Sequence, residues 1–380
     1  MKKLFLIFFT TQLYSQLAFH NVGNIQMHNN AQIGFHTDLI NNGTFNTNQG
    51  LAGFYSDNEV RVVSGNNKAI FFNIEIDALN DLELQTSLGV TNEFSFINGK
   101  IITDKNNTNI ALEYLNHNFY AGEDDDRFVD GYTAVLGSNE FTFPIGDDNR
   151  LRPMLIPSQA ENTTFKGAYF YEDPNVPSTF SDSFLTDQKQ VFIENINENE
   201  FWDLNGTTET TVTLTWDILS DINNITNNIN ELRVVGWSKT INKWIDLGNT
   251  NVSGDLNEGL VTSNAFIPND YEIITIGSGV ADGNLTDVNI IITPNGDTKN
   301  ETLIFEGIEQ YNESYLEVFN RWGNLVYKTT NYKNNWSGTS IGRATINASN
   351  KLPAGTYFYL LKFGNFSLSK TQKGWVYIHR

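Results

Sequence analysis

NEVRVVSGNNKAIFFNIEIDALNDLELQTSLGVTNEFSFINGKIIT, residues 58–103, sets short runs of alternating apolar and polar residues between turns rich in Asn, Gly and Asp. Alternation with a period of two predicts β-strands, because successive side chains of a strand point to opposite faces. No segment of the chain shows the apolar spacing that is typical of an amphipathic helix. The 380 residues therefore predict an all-β protein with several domains.

The first predicted region, residues 16–157, is rich in strands that follow one another roughly every ten residues, as the rungs of a solenoid would. NNGTFNT (residues 41–47) and FSFINGKIITDKNNT (residues 94–108) both place Asn-Gly between strand-forming residues. This pattern fits a solenoid-like stack of β-coils, and it fits a meandering sandwich equally well. Both alternatives stay open at this point.

A second region, residues 158–276, is predicted to be a β-sandwich module, because prolines and a Gly-Asp-Asp turn interrupt the strands just before it. Within it, LRVVGWSKTINKWIDLG (residues 232–248) predicts a hairpin that places Trp237 and Trp244 on one face. Residues 277–284, GSGVADGN, are small and free of large apolar groups, which predicts a linker.

The N-terminus and the composition restrict the classes of function. Two lysines followed by a short apolar run in MKKLFLIFFTTQLYSQ predict a secretory signal peptide over residues 1–15. That run is too short to span a bilayer, so the protein is not expected to be membrane-spanning. The chain has no cysteine, which excludes thiolate catalysis and cysteine-based metal sites. Its formal net charge of -20 disfavours nucleic acid and anionic membranes as partners.

The charge balance reverses in the last region, residues 285–380. This region has ten Lys or Arg and seven Asp or Glu, and no acidic residue follows Glu317. The preceding 284 residues carry 14 basic and 37 acidic side chains. Such an asymmetry favours a module with its own interaction task over a solvated face of chance composition.

The strands of this last region can be predicted directly. YLEVFN and NLVYKTT flank a loop in which Gly323 can adopt the positive φ of a bulged hairpin. LPAGTYFYLLKFG predicts a long strand with Tyr357, Tyr359 and Leu361 on one face, and KGWVYIHR predicts another strand. Strands this close together predict a small immunoglobulin-like β-sandwich.

Six short motifs follow one another in the same region. They are TPNGD (293–297), EGI (306–308), FNRWGNLVY (319–327), NWSGT (335–339), LPAGTYFY (352–359) and KGWVYI (373–378). Their order and spacing resemble the gliding-motility-associated C-terminal domain family of Bacteroidota, the type B sorting domain of the type IX secretion system. The residues that carry the resemblance are Thr293, Pro294, Asn295, Gly296, Asp297, Asn320, Arg321, Trp322, Gly323, Trp336, Gly338, Pro353, Gly355, Tyr357, Lys373 and Gly374.

The resemblance implies that the domain is an export signal. The signal peptide would deliver the chain to the periplasm, and the outer-membrane translocon with its accessory outer-membrane proteins would then recognise the domain. The protein would reach the outer cell surface or the medium. The chain departs from the family pattern at Thr298, where the family has glycine, and at Glu301 and Ser337, where it favours Asp. The middle region more loosely resembles a β module found upstream of such domains in surface proteins.

Signals for catalysis and metal binding are weak. GTSIG (338–342) matches the nucleophile-elbow pattern, but no helix is predicted after Ser340 and no Asp follows it. The five histidines, His20, His28, His36, His117 and His379, lack the spacing of a metal site. The sequence therefore predicts no enzyme, no catalytic residue, no metal site and no cofactor. Calcium is the weak exception, with four candidate ligands: Asp124, Asp125, Asp126 and Asp297.

Four tryptophans allow two interpretations of the passenger, which we define as residues 16 to about 284. Trp202, Trp216, Trp237 and Trp244 could fill a sandwich core, or they could lie exposed in a row and stack on sugars. Core packing is favoured, because aromatic residues at alternate strand positions usually face the interior. We therefore expect a non-enzymatic structural or adhesive passenger. The alternative is a carbohydrate-binding or carbohydrate-degrading surface protein with glycan partners.

Overall fold

The structure is a computed structural model that describes residues 18–190, 193–279, 285, 288–311, 313–340, 351–365 and 368–380. The predicted signal peptide, residues 1–15, lies outside the described residues. The chain is all-β, with 50% strand and 4% helix, as predicted. It divides into two compact units. The first contains the described residues up to Pro153 together with Ser158–Tyr169, and the second contains Met154–Pro157 and the described residues from Phe170 onward.

The first unit is a solenoid whose successive strands alternate between two sheets. One sheet contains, in spatial order, Ala18–Asn21, Asp38–Asn41, Arg61–Ser64, Leu82–Leu84, Ile101–Thr103, Val129–Asp130, Ile145–Asp147 and Arg150–Leu151. The other contains Gln32–Phe35, Leu51–Ser56, Ala69–Ala78, Leu88–Asn98, Leu112–Leu115, Thr133–Gly137 and Thr163–Phe170. Phe119–Ala121 pairs with Leu88–Asn98, and Phe141–Phe143 is a further short strand.

Strand direction decides between the two alternatives that the sequence left open. Leu51–Ser56 pairs in parallel with both Gln32–Phe35 and Ala69–Ala78, and Asp38–Asn41 pairs in parallel with Ala18–Asn21. A meander joins neighbouring strands by hairpins and makes them antiparallel. The parallel ladders therefore show solenoid-like coils, with one strand of each coil in each sheet.

The Asn-Gly pairs mark the corners where coils stack. Asn21 and Asn41 are parallel neighbours and both are buried, and the Asn21 side-chain amide donates to Asn41 Oδ1 at 2.8 Å. The Asn41 amide in turn donates to the carbonyl of Asn67 at 2.9 Å. A Cβ on Gly43 would lie 2.0 Å from the carbonyl oxygen of Gly23. The corner therefore needs amide side chains that bond to the next coil and a residue without a side chain.

Aromatic rings fill the interior of the first coils. Phe35 stacks on Phe54 with ring centroids 5.0 Å apart, and Phe45 meets Phe71 edge-on at 4.9 Å. All four rings are buried. Offset and edge-on pairs of this kind add to the hydrophobic stabilisation of a core.

The second unit begins with two antiparallel sheets. One contains Phe201–Asn205, Tyr271–Gly279, Leu232–Ser238 and Lys243–Gly248 in spatial order, with Ile193–Ile196 also paired to Tyr271–Gly279. The other contains Met154–Ile156, Thr213–Trp216, Gly259–Thr262 and Asn251–Gly254. The short 3-10 helices of the unit are Ile218–Ser220, Ile222–Asn224, Ile229–Glu231, Pro268–Asp270 and Ile308–Gln310. Trp237 and Trp244 are direct cross-strand partners, which confirms the predicted hairpin.

The compact units differ from the predicted boundary after Pro157. Met154–Ile156 pairs with Thr213–Trp216 and so belongs to the second unit. Thr163–Phe170, which follows the boundary in sequence, pairs with Thr133–Gly137 of the solenoid. The segment around these prolines therefore contributes Met154–Pro157 to the second unit and Ser158–Tyr169 to the first.

The predicted linker also begins too early. Residues 277–279 belong to the strand Tyr271–Gly279, and 280–284 lie outside the described residues. Gly277 pairs with Ile196, and a Cβ at this glycine would lie 2.9 Å from the carbonyl oxygen of Asn195. Small residues here permit a close approach of two strands, a use that composition alone does not distinguish from a linker.

The C-terminal part of the second unit has one five-stranded sheet. Its spatial order is Ile291–Ile292, Leu368–Ile378, Gly355–Asn365, Glu313–Phe319 and Leu325–Thr330. The first pair is parallel and the other pairs are antiparallel. One face of this sheet is covered by segments 293–311 and 331–340, which we call the covering layer.

The covering layer differs from the second sheet that an immunoglobulin-like sandwich requires. In the described residues of this region it contains the 3-10 helix Ile308–Gln310, and its Phe305 and Thr339 form isolated bridges with Val288 and Lys351. Positive φ angles at Asn331, Asn334 and Gly338 interrupt any continuous strand there. The described residues therefore form one sheet covered by loops.

Candidate functional site

The C-terminal domain has a hydrophobic core of its own, built from the inner face of the sheet and the covering layer. Tyr357, Tyr359 and Leu361 point into this core, as predicted from their alternation. The ring of Phe305 from the covering layer meets Tyr359 edge-on with centroids 5.0 Å apart. The sheet is therefore fixed from one side, and its other side is a separate surface.

Asn320 organises the hairpin loop of the NRWGN motif. Its Oδ1 accepts the backbone N–H groups of Trp322 and Asn324, each at 3.0 Å. Gly323 has a φ of 80° and the strand register shifts beside the loop, which confirms the predicted bulged hairpin. Arg321 and Trp322 remain exposed, and the guanidinium carbon lies 4.2 Å from the indole ring centre as a cation–π pair.

The TPNGD motif is a loop held by its own polar groups. Asn295 Oδ1 accepts the Asp297 N–H at 2.9 Å, and the Asn295 amide donates to Asp297 Oδ2 at 3.0 Å. The other Asp297 oxygen accepts the Lys299 N–H at 2.9 Å. The bond from the Asn295 amide, helped by this N–H, lowers the pKa of Asp297. Thr293 donates to the carbonyl of Lys299, and the half-buried Pro294 precedes the exposed Gly296.

Two of the three departures from the family pattern, Thr298 and Glu301, lie in this loop. Thr298, which replaces a glycine, has a φ of 71°, a conformation that is strained for a β-branched residue. Asn300 also has a positive φ, but asparagine tolerates it better. Glu301 accepts the Gly296 N–H at 2.6 Å, so its carboxylate caps the loop. Ser337, the third departure, is half-buried.

Five further motif residues stabilise the covering layer and the start of the central strand. Trp336 is buried, and its indole N–H donates to the carbonyl of Thr339 at 2.8 Å. Gly338 turns the chain with a φ of 75° beside it. The Tyr357 hydroxyl donates to the carbonyl of Pro353 at 3.0 Å, and Gly355 starts the strand with a φ of 152°.

Gly374 and Lys373 show how one motif serves both faces of the sheet. A Cβ on Gly374 would lie 2.3 Å from the Tyr359 hydroxyl, so the glycine makes room for a core ring. Lys373 precedes it, points to the opposite face and is exposed. The motif residues therefore divide into those that shape the domain and those that it presents to solvent.

The exposed face of the sheet carries aromatic side chains that the sequence analysis missed. We call it the outer face and define it by Phe319, Phe358, Leu360, Lys373, Trp375 and Tyr377. Phe319, Phe358 and Trp375 are direct neighbours across three strands. Phe358 is 49% exposed, Trp375 46% and Tyr377 37%. The signal was available in the sequence, because these residues alternate with the inward Tyr357, Tyr359 and Val376.

Charge is distributed unequally over the domain. Lys328, Lys362 and Lys373 project from the outer side of the sheet and are exposed. Glu317 projects from the same side of the sheet, and its carboxylate accepts a hydrogen bond from the Tyr315 hydroxyl at 2.9 Å. The covering layer carries four acidic residues: Asp297, Glu301, Glu306 and Glu309. The outer side is therefore the cationic side of the domain.

The other sequence candidates lie in structural surroundings. Ser340 is buried, and Ile341 and Gly342 of its motif lie outside the described residues. His117 packs against Tyr114 and Phe141, and its burial lowers its pKa. Within the described part of the chain, no group of three or more His, Asp or Glu side chains is placed to hold a metal ion.

The acidic run at residues 123–126 bonds to neighbouring protein donors. Asp124 pairs with Arg127, whose hydrogen bond lowers the pKa of that carboxyl. Asp124 Oδ1 also accepts the Asp126 N–H at 3.0 Å, and Asp125 Oδ1 accepts the Leu151 N–H at 3.0 Å. The acidic run is therefore a loop that hydrogen bonds to Arg127 and Leu151 hold in place.

All four candidate tryptophans of the passenger are buried, which confirms the core interpretation. Trp202 and Trp244 are 0% exposed, Trp216 2% and Trp237 6%. The indole N–H of Trp216 donates to the carbonyl of Asp255, and that of Trp244 to the carbonyl of Phe184. These four rings therefore form no exposed platform for sugars.

Comparison with known proteins identifies the C-terminal domain. Residues 286–378 match the CHU_C type IX secretion signal domain. Comparisons with curated proteins and with solved structures gave no match. No helix in the described ranges is long and apolar enough to cross a membrane. The match spans all six motifs and the outer face, so this part of the chain is a type IX secretion signal domain of the gliding-motility-associated C-terminal family.

Proposed function

We propose that the protein is exported through the type IX secretion system to the cell surface or the medium, with residues 285–380 as the export signal. The match of residues 286–378 to the type IX secretion signal domain carries this proposal. The partners would be the outer-membrane translocon and its accessory proteins. Residues 1–15 would first direct the chain to the periplasm.

For the passenger we propose a non-enzymatic structural or adhesive role that requires no cofactor. Its solenoid offers an extended surface, and repeat proteins of this kind act through area more than through a cavity. Its buried asparagines and the carboxylates of Asp124 and Asp125 are engaged in bonds within the protein. This arrangement supports a scaffold that displays a surface.

One observation favours carbohydrate binding as a second candidate function. A cleft of about 510 Å³ lies beside the solenoid sheet, and the His36 ring stacks on Tyr55 there with centroids 5.0 Å apart. Aromatic rings beside carboxylates and a guanidinium suit the apolar faces and hydroxyls of a sugar. The remaining residues that line the cleft are Ser56, Asp57, Asn58, Glu59, Arg61 and Asp77.

A glycan array separates the two passenger functions. The purified full chain and its Tyr55→Ala variant would be compared on the same array. We expect no glycan signal that depends on Tyr55. Binding that disappears in Tyr55→Ala would instead establish the carbohydrate function and overturn the purely structural role.

Export is tested by deletion and by transfer. In a producing strain with a working type IX system, the full chain should appear outside the cell and a chain that lacks residues 285–380 should accumulate in the periplasm. Residues 285–380 fused to an inert periplasmic reporter should carry it outside. Normal export of the truncated chain would contradict the proposal, as would retention of the fusion while other type B substrates leave.

A further inference from the structure

We propose that the outer face is the docking surface through which the C-terminal domain binds an acidic protein surface of the export machinery. This inference rests on the proposed export function and adds the face and the chemistry of the partner. The face is defined by the row Phe319, Phe358 and Trp375, with Leu360, Lys373 and Tyr377 beside it. Lys328 and Lys362 extend its charge.

The apolar part of the face is contiguous and exposed. Phe358 and Trp375 are about half exposed although they are direct cross-strand neighbours, and Tyr377 follows two residues later on the same side. Ile291, opposite Tyr377 on the next strand, is 48% exposed. Contiguous exposed aromatic residues mark interaction sites in soluble proteins, and Trp and Tyr dominate the energy of protein interfaces.

The charge of the face specifies the partner. Lys362 and Lys373 lie on adjacent strands, are exposed, and form no ion pair with the described residues of the chain. The acidic side chains of the domain lie mainly on the covering layer, on the other side of the core. Lysines around an aromatic row complement a partner with acidic residues around an apolar patch, because opposite potentials steer and orient association.

Other occupants fit the face less well. A two-fold dimer would place two copies of this cationic face against each other, and like charges across an interface are unfavourable. An anionic membrane would repel a chain whose net charge is -20. A protein partner with a local acidic patch meets neither obstacle.

Charge reversal on the full chain tests the proposal in producing cells. The face variant is Lys362→Glu with Lys373→Glu, and the matched control is Lys299→Glu with Lys333→Glu, two exposed lysines of the covering layer. The measurement is the ratio of exported to periplasmic chain. We expect the face variant to lower this ratio about tenfold or more and the control to stay within about twofold of wild type, because reversal at an interface opposes binding directly.

Apolar substitutions provide an independent readout. Trp375→Ser should lower export in the same direction, whereas Ile304→Ser, which removes a 38% exposed apolar side chain from the covering layer, should not. Thermal unfolding and protease resistance of each purified full chain monitor folding. If Trp375→Ser unfolds the domain, the exposed lysine pair alone decides the outcome.

A photo-crosslinking amino acid at position 377 of the full chain reports the occupant. We expect an adduct with an outer-membrane component of the type IX machinery that is lost in the Lys362→Glu, Lys373→Glu background, and no such adduct from position 304. An adduct with the passenger or with a second copy would overturn the proposal. Binding of the purified chain to phosphatidylglycerol vesicles that requires Lys362 and Lys373 would overturn it too.

The truncated chain distinguishes this inference from the proposed function. If both face variants are exported like wild type while the chain lacking residues 285–380 is retained, the docking surface is wrong and the export function stands. If the truncated chain is exported as well, the export function itself is wrong, and the docking surface falls with it.

Discussion

The solenoid and the C-terminal sheet are both built from short alternating runs, yet the composition of their outward side chains differs. Sheet positions that face away from the solenoid interior carry polar residues such as Glu75, Asp77 and Ser95, together with the partly exposed Phe72 and Ile97. The equivalent positions of the C-terminal sheet carry Phe358 and Trp375. Alternation alone therefore predicts a strand, and the residue types at its outward positions distinguish the mixed outer surface of the solenoid from the aromatic row of the C-terminal sheet.

The two regions also differ in what their glycines accommodate. At the solenoid corner Gly43 lies against the backbone of the previous coil, whereas Gly374 lies against the far end of the Tyr359 side chain. Backbone cannot move aside without breaking the ladder, but a side chain can change rotamer. The solenoid should therefore tolerate changes at its corners less well than the C-terminal sheet tolerates changes at its motif residues.

The largest expected effect is that of Gly43→Ala. The new methyl group would lie 2.0 Å from the Gly23 carbonyl oxygen and would separate two coils, so we expect a loss of about 3 kcal/mol in the free energy of unfolding of the solenoid. Urea denaturation followed by circular dichroism, with hydrogen exchange of Asp38–Asn41, measures it.

Gly23→Ala is the matched control for this change. Gly23 occupies the equivalent corner of the preceding coil, and a Cβ there would have no atom within 4 Å. We expect its stability to match wild type to within about 0.5 kcal/mol. Equal losses for the two alanine variants would show that stacking of the coils does not impose the glycine.

A smaller loss is expected for Asn41→Ala. The change removes the acceptor of the Asn21 amide and the donor to the Asn67 carbonyl inside a buried corner, which should cost about 2 kcal/mol. The control is Asn42→Ala, which removes an asparagine whose side-chain hydrogen bonds are exposed to solvent. We expect this change to cost less than about 0.5 kcal/mol in the free energy of unfolding. The same denaturation experiment compares them, and a milder effect at Asn41 than at Asn42 would refute the buried ladder.

In the C-terminal domain we expect a gain from Thr298→Gly. Glycine relieves the positive φ of a β-branched residue, so the loop should be stabilised by about 1 kcal/mol. Asn300→Gly, at a second positive φ that asparagine tolerates, should change stability by only a few tenths of a kcal/mol. Hydrogen exchange in Gly355–Asn365 reports both, and a destabilised Thr298→Gly would contradict the strain.

The smallest effect concerns the pH dependence of the solenoid. Because burial lowers the pKa of His117, the unfolded chain binds this proton more readily than the folded chain. Its contribution to stability is therefore complete above about pH 6.5 and is lost as the pH falls through the lower pKa of the folded state.

His117→Phe should remove this part of the pH dependence, because phenylalanine can pack between Tyr114 and Phe141 without titrating. The measurement is the urea midpoint of the solenoid between pH 7 and pH 5, with the exposed His28→Gln as the control. A wild-type slope in His117→Phe would show that another group sets the acid sensitivity.

Some of this architecture could be predicted from the sequence. The alternating runs gave the strands, the Asn-Gly pairs lay at the real corners, and Gly323 marked the bulged hairpin. Parallel pairing could not be predicted, because alternation is the same in parallel and antiparallel strands and the partner of a strand is set by chain topology.

The fold of the C-terminal domain could also be predicted only in part from its sequence. Its motifs identified the family, but the sandwich that the strand spacing predicted is a single sheet with a covering layer in the described residues. Asn331 and Asn334 break the alternation there with positive φ angles, a property visible only in the backbone. The outer face could be predicted from the sequence, because the residues that alternate with the inward Tyr357 and Tyr359 are themselves apolar.

The pairing of Ile291–Ile292 with Leu368–Ile378 joins the two ends of the domain, and the Leu285 N–H donates to Gln372 Oε1 across 87 residues. Coils of the solenoid contact their nearest neighbours in sequence and can assemble progressively as the chain emerges. The C-terminal sheet has a high contact order, and it cannot close before its last strand has been synthesised. A domain of this topology matures after the passenger, so a machine that reads its folded surface would act only on chains that are already complete.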